Sequence, residues 1–109
     1  VVMGELSLER WVETCSTTPA RMFGLYPQKG VIAAGSDADI VLYNPNAKTH
    51  ISVDTHHMSM DYSAYEGFDI DGHVDTVISR GKVLIEDGAY HGAKGDGRYL
   101  RRGLSSYLI

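Results

Sequence analysis

The sequence predicts an α+β fold, with helices first and strands after. Three stretches carry that prediction. Leu8, Trp11, Val12 and Cys15 recur at helical spacing, Ile40-Val41-Leu42-Tyr43 is a short wholly apolar run, and two β-branched runs flank Arg80-Gly81. Helical spacing puts the first set on one face. A short apolar run suits a strand buried on both faces, and a two-residue turn ending in Gly suits a tight hairpin.

Taken in order, Ser7 stands where an N-cap belongs and Glu9 where a first-turn acid belongs, so a helix is expected over 8–16. Thr18-Pro19 repeats the start signal, with Thr18 as cap and Pro19 in the first helical position. The second helix carries Ala20, Met22 and Phe23 and stops at Gly24. Gly30-Val31-Ile32 is a short strand candidate, and Gly35-Ser36-Asp37 a turn. The run 40–43 is ended by Asn44-Pro45-Asn46. Lys48 to Val53 alternates weakly, as an edge strand would. Residues 54–73 read as a long irregular stretch holding Tyr62, Tyr65 and Phe68, and a loop of that length is functional, an interface, or disordered. The hairpin runs from Val74 to Ile85, and Asp87-Gly88 closes it. From Gly92 the tail is rich in Gly and Arg without periodicity.

At 109 residues the chain has room for one small domain. Hydrophobic residues at 43% and charged residues at 22% argue against long disorder. A net charge of -4 gives no global attraction to nucleic acid or an anionic membrane. No apolar run approaches the roughly 18 residues of a membrane span. A single cysteine, Cys15, makes a reducing cytoplasm the default compartment. The opening Val1-Val2-Met3-Gly4 reads as a chain entered partway through.

No catalytic constellation emerges. His56-His57 has the wrong spacing for a chelate, since neighbours on a strand point to opposite faces and paired helical ligands sit at i and i+4. His50, His73 and His91 complete no zinc spacing. Asp37 and Asp39 share a strand face, but between a Gly-Ser turn and an apolar run they read as turn and strand-start residues. Asp69 and Asp71 open like a calcium loop whose remaining positions do not fit. Cys15, on the apolar helix face, reads as a buried inert thiol. In the tail, Lys94, Arg98, Arg101 and Arg102 face only Asp96, and the interleaved Tyr99, Leu100, Leu104, Tyr107 and Leu108 suit docking onto protein better than onto nucleic acid.

Three stretches together resemble the amidohydrolase superfamily: Leu6-Ser7-Leu8 through Thr18-Pro19-Ala20-Arg21-Met22-Phe23-Gly24-Leu25, then Lys29-Gly30-Val31-Ile32, then Gly35-Ser36-Asp37-Ala38-Asp39-Ile40-Val41. His56-His57-Met58, Asp61-Tyr62-Ser63-Ala64-Tyr65-Glu66-Gly67, Val77-Ile78-Ser79-Arg80-Gly81-Lys82 and Gly95-Asp96-Gly97-Arg98-Tyr99-Leu100 look like the C-terminal part of D-hydantoinases and dihydropyrimidinases. The resemblance implies that 1–28 are the last helices adjoining a missing TIM barrel, 29–90 part of a small β-sandwich, and 91–109 an extended C-terminal tail. It implies a parent that opens hydantoin or dihydropyrimidine rings to N-carbamoyl amino acids at a binuclear zinc site. Metal-bound hydroxide would attack the ring carbonyl there, with an aspartate moving the proton.

All those groups lie upstream, so the resemblance implies no catalytic, substrate-binding or metal-ligating residue, and no cofactor, in this chain. The expected partners are the missing N-terminal barrel and further copies in a dimer or tetramer, with contacts at Tyr62, Tyr65, Phe68, Arg98, Tyr99 and Tyr107. A non-catalytic parent of the collapsin response mediator type is similar through the same region. The stop at Ile109, soon after Gly-Arg-Tyr, and the His-His-Met step favour the enzyme.

Overall fold

The computed structural model describes residues 4–107, so Val1–Met3 and the expected contact residue Leu108 lie outside it. The chain forms one helical run followed by a four-stranded antiparallel sheet of order β1-β2-β3-β4.

Ser7 caps the helix as expected: extended backbone, with its hydroxyl accepting from the Arg10 amide at 3.2 Å. The two expected helices are one. α1 (Leu8–Val12) passes through a π-helical turn (Glu13–Thr17) into α2 (Thr18–Met22) without leaving helical backbone. Thr18 is not a cap. Pro19 has no N–H, and in an α-helix its ring would meet the Cys15 carbonyl. Widening the preceding turn by one residue, so that the Thr18 amide reaches the Glu13 carbonyl, takes up that conflict inside the helix. Gly24, at φ +67, ends the run: its amide reaches Arg21 O at 3.3 Å and the Leu25 amide reaches Ala20 O at 2.8 Å. That is the paired C-terminal closure only a residue at ease with positive φ allows.

Gly30-Val31-Ile32 forms no strand; it is part of the irregular return from helix to sheet. There the Gly30 carbonyl accepts from Thr17 Oγ1 at 2.8 Å, a contact that holds the return against the helix. β1 spans Ile40–His50 and does not stop at Pro45. Its pairing with β2 slips between Asn44 and Lys48, and the slip lets Pro45 sit in the strand without a ladder bond. The expected edge strand at Lys48–Val53 is thus the end of β1 as far as His50. β1 is also not buried on both faces: Val41 is 56% and Leu42 50% exposed.

β2 (Asp69–Ser79) starts five residues earlier than the hairpin reading, which shortens the irregular stretch to 51–68. It turns into β3 (Lys82–Glu86) through Arg80 and Gly81, at φ +48 and +81, and β3 turns into the unforeseen β4 (Ala89–Tyr90) through Asp87 and Gly88, at φ +49 and +78. Positive φ at both central residues is the two-residue hairpin geometry whose twist matches the strands. The tail beyond has no regular structure, yet it returns to the helix end: the Gly103 amide donates to Gly24 O at 2.8 Å and the Ser106 amide to Arg21 O at 3.2 Å.

Helix and sheet meet edge to face at Trp11 and Tyr43, ring centroids 5.1 Å apart. Little else fills the space between them. Ala20, at 5% exposed, is the one buried hydrophobic residue among those described. The surface of 8534 Å² compares with about 6,000 Å² for a compact monomer of this mass. The radius of gyration of 15.8 Å compares with about 13 Å.

Candidate functional site

Between the helix face and the sheet lies an open groove of about 1130 Å³. Leu8, Trp11 and Val12 line one wall, Val41 and Ile78 the other, and Lys29 stands among the remaining lining residues with Asp37 and Asp39. Leu8 and Val12 are each more than half exposed. Cys15 lines the same groove and is exposed, not buried, because the aromatic contact across the groove, Trp11 on Tyr43, leaves it uncovered.

A polar clasp holds the groove's frame. Lys29 Nζ reaches Asp37 Oδ2 at 3.0 Å and pairs with Asp39 as well. Asp37 also accepts from Gln28 Nε2 at 3.2 Å, and Asp39 Oδ1 accepts the Arg80 amide at 2.8 Å. One cation thereby joins the helix exit, the start of β1 and the β2–β3 turn. Burial opposes the charge on Lys29, but its bonds to Asp39 and Asp37 outweigh this and raise its pKa. The Lys29 hydrogen bond holds the Asp37 carboxyl below the ordinary range. Burial pushes Asp39 upward, yet Lys29 and the Arg80 amide together leave it lowered.

The clasp extends to the tail. Arg80 donates to the Asp96 carbonyl, while the Asp96 carboxylate accepts Lys82 Nζ and the Ala93 amide, each at 2.7 Å. Lys82 first, and then that amide, hold Asp96 below the ordinary range. The sequence reading treated Asp37 and Asp39 as turn residues and missed Lys29 as their shared cation. The available signal was one lysine set before two aspartates on a common strand face.

The remaining candidates are spread apart. Asp69 and Asp71 pair across the strands with His50 at 2.7 Å and Lys48 at 3.3 Å. His73 Nδ1 lies 2.9 Å from Thr49 Oγ1. His56 accepts the Met58 amide on Nδ1 at 3.0 Å, and His57 lies over Tyr90 at 5.7 Å. No three His, Cys, Asp or Glu residues converge among the described residues. Of the expected contact residues, Tyr65 and Phe68 meet edge to face at 6.1 Å. Tyr62, Arg98, Tyr99 and Tyr107 are exposed, with Tyr99 at 87%. No helix among the described residues is long and apolar enough to cross a membrane.

Asp39→Asn should lower stability by about 1 kcal/mol, a figure discounted because the side chain is partly exposed. Both carboxylates are depressed in the fold, so their contribution is complete above the ordinary aspartate range and is lost as pH falls below about 4. Lys29 is raised, so its contribution persists through neutral pH and is lost only above the ordinary lysine range. Urea unfolding followed by circular dichroism should show the deficit of the Asp39→Asn variant at neutral pH and its disappearance in acid. An equal deficit at both would mean that the clasp carries no charge-dependent stability.

The Amidohydrolase family profile matches residues 1–84. A D-hydantoinase of Streptomyces coelicolor is 55% identical over 108 residues, which are 99% of this chain and 23% of that protein. A solved D-hydantoinase structure superposes with a TM-score of 0.87 at 49% identity, covering 92% of this chain and 22% of that one. An L-hydantoinase (dihydropyrimidinase) from Arthrobacter aurescens gives 0.86 at 35% identity, covering 92% and 22%. The chain therefore spans a little under a quarter of the proteins it matches, with its helix, its sheet and its open groove all inside the matched region, and it belongs to the amidohydrolase family.

Proposed function

We propose that this chain is the C-terminal part of a metal-dependent cyclic amidase that hydrolyses hydantoin or dihydropyrimidine rings to N-carbamoyl amino acids, and that it contributes surface and not chemistry. The observation that carries the reading is the uncovered groove. A chain with about 2,500 Å² more surface than a compact monomer of its mass is short of something to pack against. An ordinary interface removes only about 800 Å² per partner. The deficit suits the bulk of a larger protein. The high identity to D-hydantoinases along nearly the whole chain supports the same view.

In this reading residues 1–28 are the last helices of the catalytic barrel, 29–90 belong to the β-sandwich, and 91–109 form the tail. The zinc pair of the enzyme and all its ligands lie outside these residues, and the protein works in the cytoplasm. D- and L-named relatives share this region's fold. Tyr62, Tyr65, Phe68, Arg98, Tyr99 and Tyr107 make contacts between domains or between subunits of a homotetramer. Tyr and Arg are the side chains that anchor interfaces, and on a loop and a tail they otherwise form an adhesive surface.

Purified chain incubated with Zn²⁺ and hydantoin or dihydrouracil should give no turnover above a blank. Activity that tracks protein concentration and is abolished by a chelator would place chemistry in these residues. In the full-length enzyme, Tyr99→Ser with Tyr107→Ser should shift the oligomer distribution in light scattering and leave metal content intact. An unchanged oligomer with lost metal would move these residues to the active site.

A further inference from the structure

The sequence contains three Asp-Gly steps, at 71–72, 87–88 and 96–97. Such a step can cyclise, because the glycine amide nitrogen is unhindered and can approach the aspartate side-chain carbon. Two of the three are held out of that geometry. Asp71 lies within β2, pairs with Lys48, and has its carbonyl bonded by Tyr43 Oη at 3.2 Å. Gly72 behind it is buried, and a Cβ there would overlap the Tyr43 hydroxyl. The Asp96 carboxylate is fixed by Lys82 and the Ala93 amide, and its carbonyl by Arg80. As a paired anion it is also a poor electrophile.

Asp87-Gly88 lacks those contacts. Asp87 is exposed, and among the described residues its carboxylate takes part in no hydrogen bond or ion pair. The Gly88 amide likewise donates to no group among those described. Asp87 holds φ +49, a region costly for any residue with a Cβ. The Asp87 amide is held by the Asp75 carbonyl at 3.1 Å, but the far side of the turn is tied down by β4, which has two residues and whose short pairing opens more readily than a long strand's.

We propose that Asp87-Gly88 is a site of covalent self-modification, at which the chain converts aspartate to isoaspartate. The Gly88 nitrogen attacks the protonated Asp87 carboxyl carbon; the N–C bond forms, the C–OH bond breaks, and water leaves with the amide proton. Water then adds to the Asp87 main-chain carbonyl of the cyclic imide and breaks its bond to Gly88 nitrogen. The chain is left running through the side-chain carbon, and no oxidant or other reactant is needed. The extra backbone carbon destroys the register of Glu86 with Ala89 and of Ile85 with Tyr90. It thereby releases Tyr90 from His57.

The test is to age the full-length protein in heavy-oxygen water, in mildly acidic buffer, with and without urea, and to map the peptides of this region by chromatography and mass spectrometry. In urea all three steps should take up label at comparable rates. In the native chain, position 87 should exceed 71 and 96 by about tenfold or more, as misplaced reacting groups lose rate steeply. Asp87→Glu should abolish the signal there, and Lys82→Gln should open Asp96 as a second site. Equal labelling of the three native steps, or a native chain that labels first at 71 or 96, would overturn the proposal.

Discussion

Lys29 between Asp37 and Asp39 is the constraint on which the arrangement rests. Helix and sheet bury almost nothing against each other, and Trp11 on Tyr43 is their one aromatic contact among the described residues. Their relative position depends on a short polar bridge. Lys29 fixes the helix exit to the start of β1, and Asp39 passes the restraint to the Arg80 amide at the β2–β3 turn. Arg80 and Lys82 then carry it to Asp96 and the tail. The clasp is partly exposed and so contributes modest stability. It fixes geometry, and the geometry it fixes is that of an open groove.

An open groove of this size is costly in water. Large hydrophobic side chains over half exposed line both walls, and area removed from water is worth roughly 25 cal/mol per Å². The hairpins, with positive φ at both central residues of each turn, supply local order that needs no core. Polar bridges and tight turns can therefore preserve the shape of an uncovered apolar face.

The elements legible in the sequence were those fixed by local chemistry. Ser7 as cap, Gly24 as helix end and Arg80-Gly81 as hairpin turn each depend on residues within four positions of one another. Where two local rules collided, the pattern misled. Thr18-Pro19 reads as a helix start, and a π turn keeps the helix continuous instead. Asn44-Pro45-Asn46 reads as a strand end, and a slip in register carries β1 past it. The apolar run at 40–43 and Cys15 read as buried because hydrophobicity reports what a residue prefers, not whether a partner is present. Lys29 before Asp37 and Asp39 offered a local signal of the clasp, but its link to the β2–β3 turn was illegible: Asp39 meets Arg80 across forty-one positions, and no periodicity encodes that meeting.

The proposed division of labour, with chemistry in the larger part of an enzyme and this region as its support, rests on the exposed apolar surface and on the likeness to D-hydantoinases. The most direct measurement is a chimaera in which these residues replace the matching stretch of the Streptomyces coelicolor D-hydantoinase. The chimaera is expected to fold, to keep its metal and to hydrolyse hydantoin at a rate close to that of the parent. A folded, metal-loaded chimaera without activity would show that this region carries chemistry of its own and would contradict the account.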